Sequence, residues 1–107
     1  MKRAAILALP LALLAFDRAK EIAQIDTTIA VYKARIACME KDEAIPCIER
    51  HPLDPKGDTL GKTFAMSFPK SYYKNLLERN IKILKRQKLC IGRAMGEDEA
   101  KECLKSP

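Results

Sequence analysis

Four cysteines are the residues of this sequence with the clearest chemical potential. Their spacings are Cys38-x8-Cys47 and Cys90-x12-Cys103. Neither spacing matches the close Cys-x2-Cys pairs of common zinc sites or the Cys-x-x-Cys motif of thiol-redox enzymes. An even number of cysteines in a short exported chain is typical of a disulfide framework. The sequence therefore predicts two disulfides, and four cysteines allow three pairings.

The remaining reactive side chains give little support to catalysis. His51 is the only histidine, and a lone histidine at a predicted helix end is more often exposed to solvent than used as a base. Gly57-x3-Gly61-Lys62-Thr63 resembles a phosphate-binding loop, but its glycine spacing is one residue short and no predicted strand precedes it. We therefore predict no catalytic residue, no metal ligand and no cofactor, and we do not expect the protein to be an enzyme.

A basic segment between Lys70 and Met95 is the second feature with binding potential. Glu78 is the only acidic residue among its eight lysines and arginines. A solvated face of charges explains this composition without any function, whereas the functional interpretation is a surface for an anionic partner. The predicted partner-binding residues share one helix face at helical spacing, and they are Arg79, Lys82, Arg86 and Arg93.

The first residues have the composition of an export signal. Lys2 and Arg3 give a positively charged start, and residues 4–16 are uncharged. These 13 residues are too few for a membrane span, which needs about 20, but they suit the apolar part of a signal peptide. We predict that residues 1–15 are a cleaved signal peptide. An uncleaved anchor and an ordinary first helical turn remain alternatives.

Two long helices are predicted to position these residues. Residues 17–41 and 71–95 each carry apolar side chains at steps of three and four residues, and neither contains a proline. Asp42 and Asp98 are the expected N-caps of a short helix after each. The charges of the first long helix, Arg35 among them, fall outside its apolar stripe. That stripe comprises Ile22, Ile25, Ile29, Tyr32, Ile36 and Met39, and the second comprises Tyr73, Leu77, Ile81, Leu84 and Ile91. We prefer packing in the core of one bundle to an intermolecular coiled coil.

The two halves of the chain resemble each other. Several positions of residues 25–38 match residues 77–90 at a constant offset of 52 positions. After four additional residues in the second half, the string Asp-Glu-Ala-x-x-Cys occurs in both, at residues 42–47 and 98–103. Because similarity at a fixed offset is typical of repeated structural units, we predict an internal repeat.

The repeat predicts an all-α architecture for residues 16–107. Residues 17–50 and 70–105 each form a hairpin of one long and one short helix, and the two hairpins pack as a small four-helix bundle. Residues 51–69, which are rich in Pro and Gly, are predicted to be the joining loop. In this loop Phe64, Met66 and Phe68 are expected to cover the bundle. These residues are the predicted hydrophobic lid.

The repeat also favours one disulfide pairing. Bonds from Cys38 to Cys47 and from Cys90 to Cys103 would each close one hairpin, whereas bonds from Cys38 to Cys103 and from Cys47 to Cys90 would join the hairpins to each other. The second pairing remains an alternative, although the long joining loop does not suit it.

Together these patterns predict a small periplasmic or secreted helical protein that presents a basic helix face to a protein partner or another anionic surface. Nucleic acid is the least expected partner, because export would separate the protein from it, and because Tyr72 and Tyr73 are the only aromatic residues of the basic segment that could stack on bases. One alternative is a membrane-anchored small subunit that contacts the bilayer through residues 4–16. The other is a cytosolic binder of zinc or nucleic acid with four reduced cysteines.

Overall fold

The computed structural model describes residues 17–105, so the predicted signal peptide at residues 1–15 lies outside the described residues. The described chain is all-α and forms a small bundle with two disulfides, which confirms the predicted class. Its five helices are α1 (Arg18–Cys38), α2 (Ala44–Arg50), α3 (Pro55–Ser67), α4 (Lys70–Arg93) and α5 (Glu97–Lys105).

The long helices α1 and α4 pack along each other through the two predicted stripes. Ile25 and Ile29 of α1 are buried, as are Tyr73, Leu77 and Ile81 of α4. The stripes meet within one chain, as the interpretation of core packing predicts. At one end of this contact, where α1 begins and α4 ends, Arg18 donates a hydrogen bond of 2.8 Å to the carbonyl of Ala94.

The buried residues form two clusters along the α1–α4 contact. One cluster lies where α5 meets the long helices, and it includes Ile91, Ala100 and Cys103. The other lies where α2 and α3 meet them, and it includes Ile48 and Tyr73. Tyr32 and Ile36 of α1 pack against both clusters. Each short helix therefore contributes to a separate part of the core.

The predicted joining loop is wrong over residues 55–67, which form the helix α3. The carboxylate of Asp54 caps its start by accepting from the amide of Gly57 at 2.9 Å. Pro55 occupies the first turn, where its missing N–H costs no hydrogen bond. At Gly61, an added Cβ would lie 3.4 Å from the Tyr73 hydroxyl and 3.5 Å from Ile48 Cδ1. These are ordinary contact distances, so Gly61 lies on the side of α3 that faces Tyr73 and Ile48, and the helix continues through it.

The predicted hydrophobic lid is right for only one of its three residues. Phe64 packs against the second core cluster. Met66 on α3 and Phe68, which follows the end of α3 with an extended backbone, are both exposed. The bundle is therefore covered by a helix that uses one aromatic residue of this segment.

The predicted N-caps at Asp42 and Asp98 are also wrong. Glu43 is the N-cap residue of α2, and Asp42 forms an ion pair with Arg50 at 3.0 Å. Asp98 lies inside the first turn of α5. The carboxylate of Glu99, in the same turn, accepts a hydrogen bond of 3.0 Å from the amide of Met95, which precedes the helix.

Candidate interaction surface

The two disulfides lie within the two halves of the chain. Cys38 at the end of α1 is bonded to Cys47 of α2, and Cys90 near the end of α4 is bonded to Cys103 of α5. The alternative pairing between the halves is not found. All four sulfurs are thus oxidised and unavailable as zinc ligands in this form. Over residues 17–105, no three His, Cys, Asp or Glu side chains are grouped as a metal site requires.

The four predicted partner-binding residues all lie exposed on α4, and we call them the basic face: Arg79, Lys82, Arg86 and Arg93. None of them forms an ion pair with a carboxylate of residues 17–105. Lys88, on the side of α4 towards α1, is by contrast paired with Asp26 at 2.8 Å. The charges of the basic face are therefore open to an anionic partner.

Two concave surfaces adjoin the basic face, one near each end of α4. We call the first the α3 pocket. It has a volume of about 340 Å³ and is lined by Phe64, Tyr72, Leu76 and Arg79, together with Asn75. Its apolar walls come from both α3 and α4, and Arg79 adds a positive charge.

The second concave surface, the α5 pocket, has a volume of about 490 Å³. Arg86, Leu89 and Arg93 line it on the α4 side, beside the disulfide from Cys90 to Cys103. Three of the four basic-face residues thus also line a pocket, while Lys82 lies between the two. The disulfide holds α5 against α4 and so maintains the wall of this pocket.

A row of three aromatic rings crosses the junction between α3 and α4. The ring centroids of Phe64 and Phe68 are 4.6 Å apart, and those of Phe68 and Tyr72 are 5.9 Å apart in a stacked arrangement. Tyr72 keeps 55% of its surface exposed. This row was not predicted from the sequence, although the spacing of four residues between successive rings would have indicated it had α3 been recognised as a helix.

Arg35 was predicted to lie outside the apolar stripe of α1 with the other charges, but it is buried, with only 3% of its surface exposed. Its guanidinium donates to the carboxylate of Asp58 at 2.7 Å, to the hydroxyl of Tyr73 at 3.1 Å and to the carbonyl of His51 at 2.9 Å. These groups belong to three other parts of the chain. Arg35 therefore joins α1 to the end of α2, to α3 and to α4.

The Arg35 contacts stabilise fixed charge states. Burial acts to lower the pKa of Arg35, but its hydrogen bonds to Asp58 and Tyr73 raise that pKa above its usual value. Burial also acts to raise the pKa of Asp58, but the Leu53 amide and Arg35 bring it below its usual value. Burial raises the pKa of Tyr73. At neutral pH the network thus contains a cation, a carboxylate and a neutral phenol, which is suited to holding helices together.

No relative of this protein was found by comparison with known proteins. The chain matches no protein-family model, no curated protein and no solved structure. Two disulfides in a small domain are typical of proteins from oxidising compartments. None of the helices described between residues 17 and 105 has the length and apolar character needed to cross a membrane.

Proposed function

We propose that the protein is a small exported interaction or accessory protein, periplasmic or secreted, which binds an anionic partner through the basic face of α4 and has no catalytic activity. The observation that carries this proposal is the set of four exposed cations on one helix, without carboxylate partners in residues 17–105. Unpaired cations on a rigid surface attract an anionic partner and orient its approach.

We further propose that residues 17–50 and 70–105 are two copies of one disulfide-closed hairpin, which have diverged in charge. Ala44 and Ala100, which the repeat aligns, are both buried, and so are Cys47 and Cys103. The copies therefore share their core positions. The basic face belongs to the second copy alone, so the first copy serves as scaffold.

Export is tested by the intact mass of the protein purified from its native host under non-reducing conditions. We expect the mass of a chain without residues 1–15 that has lost four hydrogen atoms through two disulfides. A full-length chain with four free thiols would contradict export and would favour the cytosolic zinc or nucleic-acid binder. A full-length oxidised chain in the membrane fraction would favour the anchored subunit instead.

Charge reversal tests the basic face. The triple variant Arg79→Glu, Lys82→Glu, Arg86→Glu should no longer capture the native partner in a pull-down from an extracytoplasmic extract, because an anionic partner would now be repelled. Its melting temperature should stay close to that of the wild type, since exposed unpaired charges contribute little to stability.

The matched control reverses three exposed cations elsewhere: Lys33→Glu, Lys41→Glu and Lys56→Glu. It changes the net charge by the same amount, so it separates the position of the charges from their sum. The control should retain capture, and capture by the wild type should weaken as salt is raised. Equal capture by the wild type and the basic-face variant would overturn the proposed function.

A further inference from the structure

The outer side of α4 carries two rows of residues with a period of seven. The first row is cationic and consists of Arg79, Arg86 and Arg93. The second row is apolar and consists of Leu76, Ile83 and Cys90, of which Leu76 and Ile83 are half-buried and Cys90 is exposed. A spacing of alternately three and four residues separates the rows, so they run side by side along one line of the helix, where a second helix can pack.

The two pockets lie along these rows, separated by two of their seven-residue repeats. Leu76 lines the α3 pocket and Cys90 lines the α5 pocket, and the 14 residues between them correspond to about 21 Å along the helix axis. Fourteen residues are two heptads, so two side chains at this spacing on a partner helix also point to the same side. Two apolar side chains of one helix can therefore reach both pockets together.

The arginines of α4 favour a partner helix with negatively charged side chains. Arginine is suited to this role, because its planar guanidinium binds carboxylates in a bidentate manner. Glu99 also lines the α5 pocket, where its carboxylate accepts a hydrogen bond from the amide of Met95, and the two arginines of this pocket outnumber that one negative charge. A second copy of α4 is disfavoured as the occupant, because it would bring arginine against arginine.

We propose, on the basis of the proposed function, that the partner is a protein whose acidic amphipathic helix lies along α4. Apolar side chains of that helix, 14 residues apart, occupy the α3 and α5 pockets, and its carboxylates bind Arg79, Arg86 and Arg93. A flat anionic lipid surface fits less well, because the apolar groups of α4 line concave pockets near both ends of the two rows.

The probe for this proposal is a synthetic peptide of 21 residues with leucine at every seventh position, glutamate at the positions beside each leucine, and alanine elsewhere. Its binding to the oxidised protein is measured by fluorescence anisotropy, and its helix content by circular dichroism. We expect binding that induces helix. A peptide of the same composition in scrambled order should bind about tenfold more weakly or worse, because it cannot fill both pockets.

A variant without charge changes tests the pockets separately from the basic face. Tyr72→Ser and Leu89→Ser together remove one exposed apolar group from each pocket, and these side chains are 55% and 58% exposed, so the fold should be kept. This variant should lose about tenfold in peptide affinity. The matched control, Leu60→Ser and Met66→Ser, alters two apolar groups that are more exposed than the test pair and lie outside both pockets, and it should bind as the wild type does.

The outcomes distinguish this inference from the proposed function. Equal binding of ordered and scrambled peptides, or none by either, would overturn the helical partner. The helical partner would also be overturned if phosphatidylglycerol vesicles displaced the native partner and bound the Tyr72→Ser, Leu89→Ser variant with the same affinity as the wild type. In each case, loss of native capture by the basic-face variant would leave the proposed function standing. Retained capture by the basic-face variant would overturn both.

Discussion

Replacement of Arg35 by methionine should lower the free energy of unfolding by about 3–5 kcal/mol, the cost of breaking a buried ion pair by removal of one partner. The carboxylate of Asp58, which is 15% exposed, would lose its cation, and the Tyr73 hydroxyl and His51 carbonyl would lose their donor. Small domains have a total stability of only about 5–15 kcal/mol. Urea denaturation followed by circular dichroism should therefore show a large fall in the unfolding midpoint.

The control is Lys33→Met, which removes an exposed cation from the same helix and should change the free energy of unfolding by about 0.5 kcal/mol or less. A second readout is acid stability. Because the pKa of Asp58 is lowered in the folded state, its contribution is present above the usual carboxyl pKa and is lost as the pH falls below about 4. The stability of the Asp58→Asn variant should therefore fall less than that of the wild type as the pH is lowered through this range. An Arg35→Met variant within 1 kcal/mol of the wild type would contradict the role that we assign to this residue.

Removal of both disulfides should have an effect of similar size. The bonded cysteines are separated by 9 and 13 positions in the sequence. Each bond should contribute about 2–3 kcal/mol to the free energy of unfolding, chiefly by restricting the unfolded chain. Titration with reductant, monitored by thermal unfolding, should therefore bring the protein close to the limit of stability. Melting temperatures that agree between the oxidised and reduced protein would refute this expectation.

Serine variants of the two bonds should differ in their effect on binding. Loss of the bond between Cys90 and Cys103 should weaken partner capture as well as stability, because that bond holds α5 as a wall of the α5 pocket. The bond between Cys38 and Cys47 lines neither pocket, so its loss should weaken stability more than capture. Capture should be measured below the melting temperature of both variants, so that unfolding does not account for the difference.

The apolar stripes of α1 and α4 were predictable because hydrophobic burial imposes the helical period directly on the sequence. The basic face was predictable as a pattern for the same reason, although its use as a binding surface remains a proposal. α3 was not recognised, because Gly61 and Pro55 are usually signs of a loop. Here the proline begins a helix, and the glycine lies inside that helix, on the side that faces Tyr73 and Ile48.

Arg35 could not be assigned from local sequence for a related reason. Arginine is rarely buried unless its charge is paired, and the pairing residue Asp58 lies 23 positions further along the chain. That carboxylate reaches the guanidinium only because α3 is helical and packs against α2 and α4. The error at α3 and the error at Arg35 were therefore one error, since the helix supplies the partner that makes burial of the charge possible.

The pairing of Arg35 with Asp58 also constrains how this sequence can diverge. A single substitution at either position leaves a charge without its counterpart, so descendants should retain both residues or replace both together. In this chain the arginine stands three positions before the first cysteine, and the aspartate stands eleven positions after the second. That coupled pair, with the spacing of the cysteines, provides a signature by which distant homologues could be recognised when their surfaces have changed.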